Sequence, residues 1–512
     1  MNDLMMNVDN FWLLMDNPTN LMTISALLEF DDVLSYDDLC DTLINRLLCI
    51  DRFRKRVEKT SGVGLSVWQT DDTFTIHSHV HRIALPKPGN KKVLQEIIGD
   101  LIATPLDRSK PLWQIHLIEN YNGGSALFGR FHQCIADGMA LIRVFLSITD
   151  DKPNMNILNK KDYPKFISPK SIFTPKKNPI THFFQKTTTI FQEVKKEAIT
   201  TLANPFHMVE IARTNVSLTI DYALALGKLA IMRPDPKTSL KGDLSVRKHL
   251  SWTDPIPLMS IKNIAWHLRV KLNDVLFGIV TGGLRRYLRK RNDRVKEIEV
   301  RVAIPVDIRR PWEKYELGNK QSIIFFSLPI HIEDPVARVR EINQRMQEIK
   351  ESPDAIIGFN ALNTLGISLS NIAHKGASFI STKSTAVLNN VPGPTQPIYL
   401  AGKQLRNMMF WVPRIGSIGH NISIVSYNGN VTIGLTTDSC IIPDPSFLLD
   451  SFMIELSIYL KMIQSETFQK ETLPHADIRN DNDNDKSMNH NYIFYSSLAD
   501  TRMQDEQPED IE

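Results

Sequence analysis

The chain has 512 residues, 42% of them hydrophobic, enough to bury one large core or two. Lys and Arg number 60 against 57 Asp and Glu, and a formal net charge of +3 demands no nucleic-acid partner. The four cysteines, Cys40, Cys49, Cys134 and Cys440, form no CxxC pair and lack the density of a secreted scaffold, which suits a reducing, cytoplasmic compartment.

The first residues, MNDLMMNVDNFWLLMDN, carry acids and no basic leader, so no secretory signal is read there. No run reaches the roughly 18 uncharged apolar residues of a spanning helix, which predicts a soluble or peripheral protein. The stretch after Asp32 places Leu39, Leu43, Ile44, Leu47 and Leu48 at helical spacing. LWQIHLIE and SALFGRFHQC then read as two strands joined at Asn122-Gly123-Gly124. Past Gly138 the period turns helical, with Ala140, Leu141, Val144, Phe145 and Ile148 on one face. FHQCIADG, Phe131 to Gly138, therefore sits where a strand gives way to a helix.

Residues 1–150 are read as a first lobe. From 151 to 245, prolines interrupt the pattern while lysines from Lys152 to Lys196 alternate with phenylalanines from Phe166 to Phe206. This reads as a long basic connection, with heads and anchors suited to an anionic membrane or droplet surface. Regular patterning resumes over 246–465. Asn273 is placed to cap a helix, EIEVRVAIPVDIR reads as a strand, and Asp334-Pro335 and Asp444-Pro445 mark two further helix starts. The last hairpin turns at Asn428-Gly429. Residues 466–512 form an acidic tail of disordered composition. Helix and strand alternate in both halves, so the fold class is α/β in two lobes.

Several blocks stand out in order: DNPTN, FRKRV, PLDRSKPLW with Pro111, Leu112 and Trp113, DPKTSLKG, the Asn273-Asp274 pair, VAIPVDIRRP, LGNKQS, and NNVPGP with Asn390, Pro392 and Gly393. Together, from about Met5 to Ile463, they resemble the bifunctional wax ester synthase/diacylglycerol acyltransferase family. The resemblance implies two lobes of the CoA-dependent acyltransferase type, each a mixed sheet with helices, and an active-site channel between them. It implies transfer of a fatty acyl group from acyl-CoA to a diacylglycerol or a long-chain alcohol, with no metal and no bound cofactor. Partners follow: acyl-CoA, the acceptor, and a peripheral membrane or lipid-droplet surface.

The family signature is two histidines, three variable residues and Asp-Gly. In this chain His132 aligns with the first histidine, Gln133 replaces the second, and Asp137 and Gly138 complete it. The second histidine is the family's general base, a term worth about 10²–10⁴-fold. Glutamine takes no proton at neutral pH, so three readings stand side by side. A substitute base such as His132, His420 or a water acts; positioning alone sustains turnover; or the chain binds acyl-CoA and lipid without catalysis. A condensation-type transferase using a carrier-protein thioester is a further alternative. Of the remaining candidates, Pro111, Leu112 and Trp113 are expected to shape the acyl channel, Asn273 and Asp274 to lie near it, and Asn390 to Pro394 to form a wall or lobe contact. Cys134 follows Gln133, but strand alternation turns it to the other side.

Overall fold

A computed structural model describes residues 3–59, 66–153, 231–350 and 370–465, together with 358–359, 362–363 and 365–366. The lysine-phenylalanine stretch lies almost wholly outside these residues, as does the acidic tail.

The first half contributes β1 (Asp3–Leu4), α1 (Asn7–Met15), β2 (Thr23–Phe30), α2 (Tyr36–Asn45), β3 (Lys55–Lys59), β4 (Ser66–Thr70), β5 (Val80–Ala84), α3 (Lys91–Ala103), β6 (Trp113–Tyr121), β7 (Gly124–His132) and α4 (Gly138–Ile148). The second contributes β8 (Lys248–Trp252), β9 (Ile256–Pro257), α5 (Leu258–Leu268), α6 (Leu272–Lys290), β10 (Val300–Asp307), β11 (Gln321–Leu328), α7 (Pro335–Lys350), α8 (Ser370–Ser381) and β12 (Ala386–Pro392). It closes with β13 (Tyr399–Leu400), β14 (Lys403–Trp411), β15 (His420–Tyr427), β16 (Asn430–Asp438) and α9 (Pro445–Gln464).

Both expected hairpins form. Asn122 and Gly123 take φ of 48° and 85°, and Asn428 and Gly429 take 45° and 75°, the left-handed pair that a two-residue turn between twisted strands requires. The helix at Asp334-Pro335 is capped as expected, Asp334 accepting from the Ala337 amide at 2.7 Å. Two caps differ from the reading. Lys271 rather than Asn273 occupies the N-cap of α6, and Asp274 accepts the Lys271 amide at 2.9 Å. Asp444 precedes α9 but gives its carboxylate to Tyr287 and Lys290 instead of the helix amides, because those donors reach it from α6. On α2, Leu39 and Leu43 are buried as the spacing predicts, whereas Ile44 stays 43% exposed.

Two mixed sheets organise the molecule. One runs β13-β14-β2-β7-β6-β5, the other β11-β10-β12-β15-β16-β8, with β9 also on β16. The halves exchange parts. β14 comes from the second half yet pairs antiparallel with β2, Trp411 opposite Ser25 and Phe410 opposite Ala26. In return α1 buries Val8, Phe11, Trp12 and Met15 in one cluster with Leu362, Ala373, Ala377 and Ile415. A contiguous second lobe over 246–465 is thus corrected: 399–411 complete the first sheet, since β2 would otherwise be a bare edge. The connection also ends before 245, for Asp235 accepts the Arg301 amide at 3.0 Å and anchors to the second sheet.

The NNVPGP turn packs tightly on the last hairpin. A Cβ on Gly393 would sit 2.3 Å from the Ser426 carbonyl oxygen, a backbone atom that cannot rotate away. Gly393→Ala is expected to cost about 1–3 kcal/mol by overpacking, seen as a lowered denaturation midpoint.

Candidate active site

The signature turn is held by the other half of the molecule. Asp137 caps α4, accepting from the Ala140 amide at 2.9 Å with one oxygen, and the Lys320 amide at 2.9 Å with the other. The second oxygen also meets Arg309 at 2.7 Å, both side chains 1% exposed. Arg309 continues to Asp307 at 3.0 Å, and Asp307 to Arg143 of α4 at 2.8 Å. Burial works against the Arg309 charge, but the Asp137 and Asp307 carboxylates outweigh it and hold its pKa above the ordinary value. The expected charge interaction of Asp137 is therefore present, and it joins the two halves. Gly138 opens α4 with a Cβ position 3.7 Å from Val412 and no closer neighbour, so its freedom is of space, not of backbone.

Gln133 is locked in turn to Asn319. Its Nε2 donates to Asn319 Oδ1 at 2.9 Å, and Asn319 Nδ2 donates back to the Gln133 carbonyl at 2.8 Å. Asn319 also donates twice to Asp9 Oδ1, and Arg52 meets Asp9 Oδ2 at 3.2 Å. Burial raises the Asp9 carboxyl pKa, against the pull of Arg52 and Asn319. This network fixes the amide orientation and leaves Gln133 Oε1 buried without a partner.

Gln133 lines a cleft between the halves, with about 470 Å³ of empty space, part of it open to solvent. Gln133, Gln321 and Ser384 are its polar side chains; Trp12, Phe325, Val387 and Ile415 are among the apolar ones. Ser384 Oγ, like Gln133 Oε1, is buried and unpaired. Among the described lining residues no side chain titrates.

The proposed substitute bases face elsewhere. His132 Nδ1 accepts the Cys134 amide at 3.1 Å, which commits its lone pair, and Nε2 points toward Asp16 at 3.8 Å. Burial lowers its pKa to about 4. His420 is fully buried and lowered to about 3, chiefly by burial and then by Arg414. On β15 it shares a sheet face with Ile422 and Ile424, which pack into the second core. Neither lines the cleft, so neither is a base for it. Cys134 is buried in the first core, and burial pushes its thiol well above the ordinary range.

The other sequence candidates separate from this cleft. Trp113 is core: its indole donates to the Phe53 carbonyl at 2.9 Å and stacks on His79 at 4.5 Å. Leu112 is buried with it, and none of Pro111, Leu112 and Trp113 lines the cleft, so the expected channel role is not met there. Sheet geometry is the cause, since Trp113 pairs with Phe131 and turns into the first core. Asn390 and Asn273 are brought together, Asn390 Nδ2 donating to Asn273 Oδ1 at 2.8 Å, and Asp274 accepts from Asn343 at 2.6 Å. These ties dock α6 and α7 to β12. Sequence reasoning missed Asn319, Arg309, Asp9 and Ser384. The first two lie inside the LGNKQS and VAIPVDIRRP blocks, so position in those blocks was the available signal.

Two opposed mixed sheets that trade a strand, with an Asp-Gly turn clamped between them, define the two-lobed acyltransferase class. The wax ester synthase/diacylglycerol acyltransferase from Marinobacter aquaeolei VT8 superposes with a TM-score of 0.63, covering 90% of this chain and 99% of that one at 19% identity. The first condensation domain of the calcium-dependent antibiotic synthetase gives 0.58 over 90% and 96% at 12% identity. The wax ester synthase/diacylglycerol acyltransferase catalytic domain matches residues 5–276, and the family's C-terminal domain matches 317–459. The chain belongs to the wax ester synthase/diacylglycerol acyltransferase family. A putative diacylglycerol O-acyltransferase of Mycobacterium tuberculosis is 24% identical over 493 residues, 92% of each chain. A probable one from the same species is 25% identical over 409 residues, 79% of this chain and 83% of that one.

Asp137→Asn leaves Arg309 buried with Asp307 alone, and a loss of about 3 kcal/mol is expected, the low end for a broken buried pair; chemical denaturation measures it. Acid acts on the buried histidines. His116 and His132 are lowered to about 4 and His420 to about 3, so below 6.5 the unfolded chain takes up protons that the folded chain refuses. Stability is full above pH 6.5 and falls toward 4, by roughly 2 kcal/mol per histidine at pH 5. His116→Leu is expected to narrow the difference between pH 7 and pH 5 by about that amount.

Proposed function

We propose that this chain is an acyl-CoA-dependent O-acyltransferase that makes triacylglycerol or wax ester by positioning its acceptor, without a histidine base. The observation that carries the reading is the unpaired Oε1 of Gln133, a residue lining a cleft whose other polar side chains are Gln321 and Ser384 alone among the described residues. An acceptor hydroxyl donates its hydrogen bond to Oε1, which orients the oxygen lone pair toward the thioester carbonyl. Ser384 Oγ donates to the carbonyl oxygen as negative charge develops there. The hydroxyl oxygen bonds to the carbonyl carbon, the carbon–sulfur bond breaks, and the hydroxyl proton ends on the departing CoA sulfur, leaving ester and free CoA.

Asp137, Arg309 and Asn319 are positioning residues in this scheme, since they hold the turn and the amide plane. Acyl-CoA is a co-substrate, and a diacylglycerol or long-chain alcohol is the acceptor. Such substrates barely dissolve, so we assign the working site to a membrane or droplet surface, reached through the lysine-phenylalanine stretch between 152 and 206.

The test is free-CoA release from palmitoyl-CoA with hexadecanol or dioleoylglycerol, with lipid products analysed. Slow ester formation by the native chain is expected, level between pH 6 and 8 because nothing lining the cleft titrates there. Gln133→His restores a base and raises turnover by about 10²–10⁴-fold, adding a rise with pH as the histidine loses its proton. Ser384→Ala lowers turnover by about 10-fold or more. A silent native chain beside an active Gln133→His sinks the positioning mechanism and leaves a lipid-binding protein on the enzyme's fold.

A further inference from the structure

A second pocket lies on the far side of Val412 and Pro413, which wall both it and the Gln133 cleft. It holds about 340 Å³ of empty space, part of it open to solvent, and brings Thr23 of β2 and Lys248 of β8 to Arg414. Thr23 is paired with His132 across β2 and β7, so the two side chains share a sheet face.

Arg414 is 5% exposed, yet its guanidinium makes no hydrogen bond or ion pair among the described residues, and Nε is sealed without a partner. Burial pushes its pKa down to about 10, opposed by Asp438 alone. Asp438 is already committed elsewhere. It takes the Lys248 ammonium, the Ser245 amide and hydroxyl, and the Cys440 amide. His420 adds to the imbalance: fully buried, with neither ring nitrogen partnered, its charged neighbours are Arg414 and Lys241. Arg414 and Lys248 thus share one spent carboxylate, with Lys241 adding a further positive charge beside His420. A buried charge without compensation is costly, and such groups are ordinarily paired. The missing component is an anion.

We propose that Arg414, with Lys248 and Thr23, forms a phosphate-binding subsite. The guanidinium supplies a two-pronged donor, and the Lys248 ammonium, two of whose protons go to Asp438 and the Ser245 carbonyl, has one left. The Thr23 hydroxyl approaches from a third element. Donors from three directions match the several oxygens of a phosphate better than the single plane of a carboxylate. An occupied subsite steadies Val412 and Pro413, and so one wall of the acyl-transfer cleft. The phosphate is either that of CoA or that of a phosphorylated glycerol. The site stands without the acyl-transfer reading, because its test is binding.

Thermal unfolding of the full chain is followed in phosphate-free buffer with added inorganic phosphate, with acetate at equal ionic strength as control. The native midpoint is expected to climb with phosphate as RT ln(1 + [L]/Kd) and to stay level with acetate. Arg414→Met removes the uncompensated charge, so its midpoint without phosphate is expected at or above the native one, with no response to phosphate. Arg414→Lys keeps the charge and loses the fork, weakening phosphate about tenfold, which guards against a methionine variant that fails to fold. An equal phosphate response in native and Arg414→Met overturns the proposal, as does an acetate response matching phosphate. Repeating the titration with CoA and with glycerol 3-phosphate identifies the source, as the ligand that stabilises the native chain at the lower concentration and no longer stabilises Arg414→Met.

Discussion

The structure turns on the buried pair between Asp137 and Arg309. Asp137 ends the signature turn in the first half, and Arg309 follows β10 in the second. Each charge is sealed from water, so each needs the other, and the two halves cannot part without exposing both. The chain of alternating charge through Asp307 to Arg143 extends that clamp along α4. Everything chemical in the cleft inherits its position from here, because Gly318, Asn319 and Lys320 meet the turn residue by residue.

The clamp also explains how a glutamine can stand at the base position without disturbing its surroundings. Asn319 offers both a donor and an acceptor, and Gln133 answers with a carbonyl and an amide nitrogen. What is left over is an unpartnered acceptor oxygen on a residue that lines a mostly apolar cleft. Chemistry there depends on orientation and on a dry environment, where each hydrogen bond counts for more than in water. Histidines elsewhere do not compensate, since burial has removed both their charge and their access.

Much of the architecture was legible in the sequence. Strand alternation ending at His132, helical spacing after Gly138, and Asn-Gly turns are local signals, and local signals carry local structure. What escaped is long-range. Nothing around Lys403 to Trp411 marks it as the neighbour of β2, because alternation is the same whichever sheet it joins. Trp113 carries equal hydrophobic content in a core or a channel, and only its strand partner decides. Ser384 and Asn319 are ordinary polar residues until burial leaves one without a partner and gives the other four hydrogen bonds.

The strand exchange has a consequence for how the protein is made. β2 emerges from the ribosome among the first residues, whereas its neighbour β14 follows only after residue 403. At roughly 5–20 residues per second, on the order of tens of seconds pass with one side of β2 unpaired. During that interval the nascent first half presents an open sheet edge, the template on which strands of other chains pair. Successful biogenesis therefore depends on shielding this edge until translation is nearly complete, and a chain truncated before residue 403 is released with its sheet permanently unfinished.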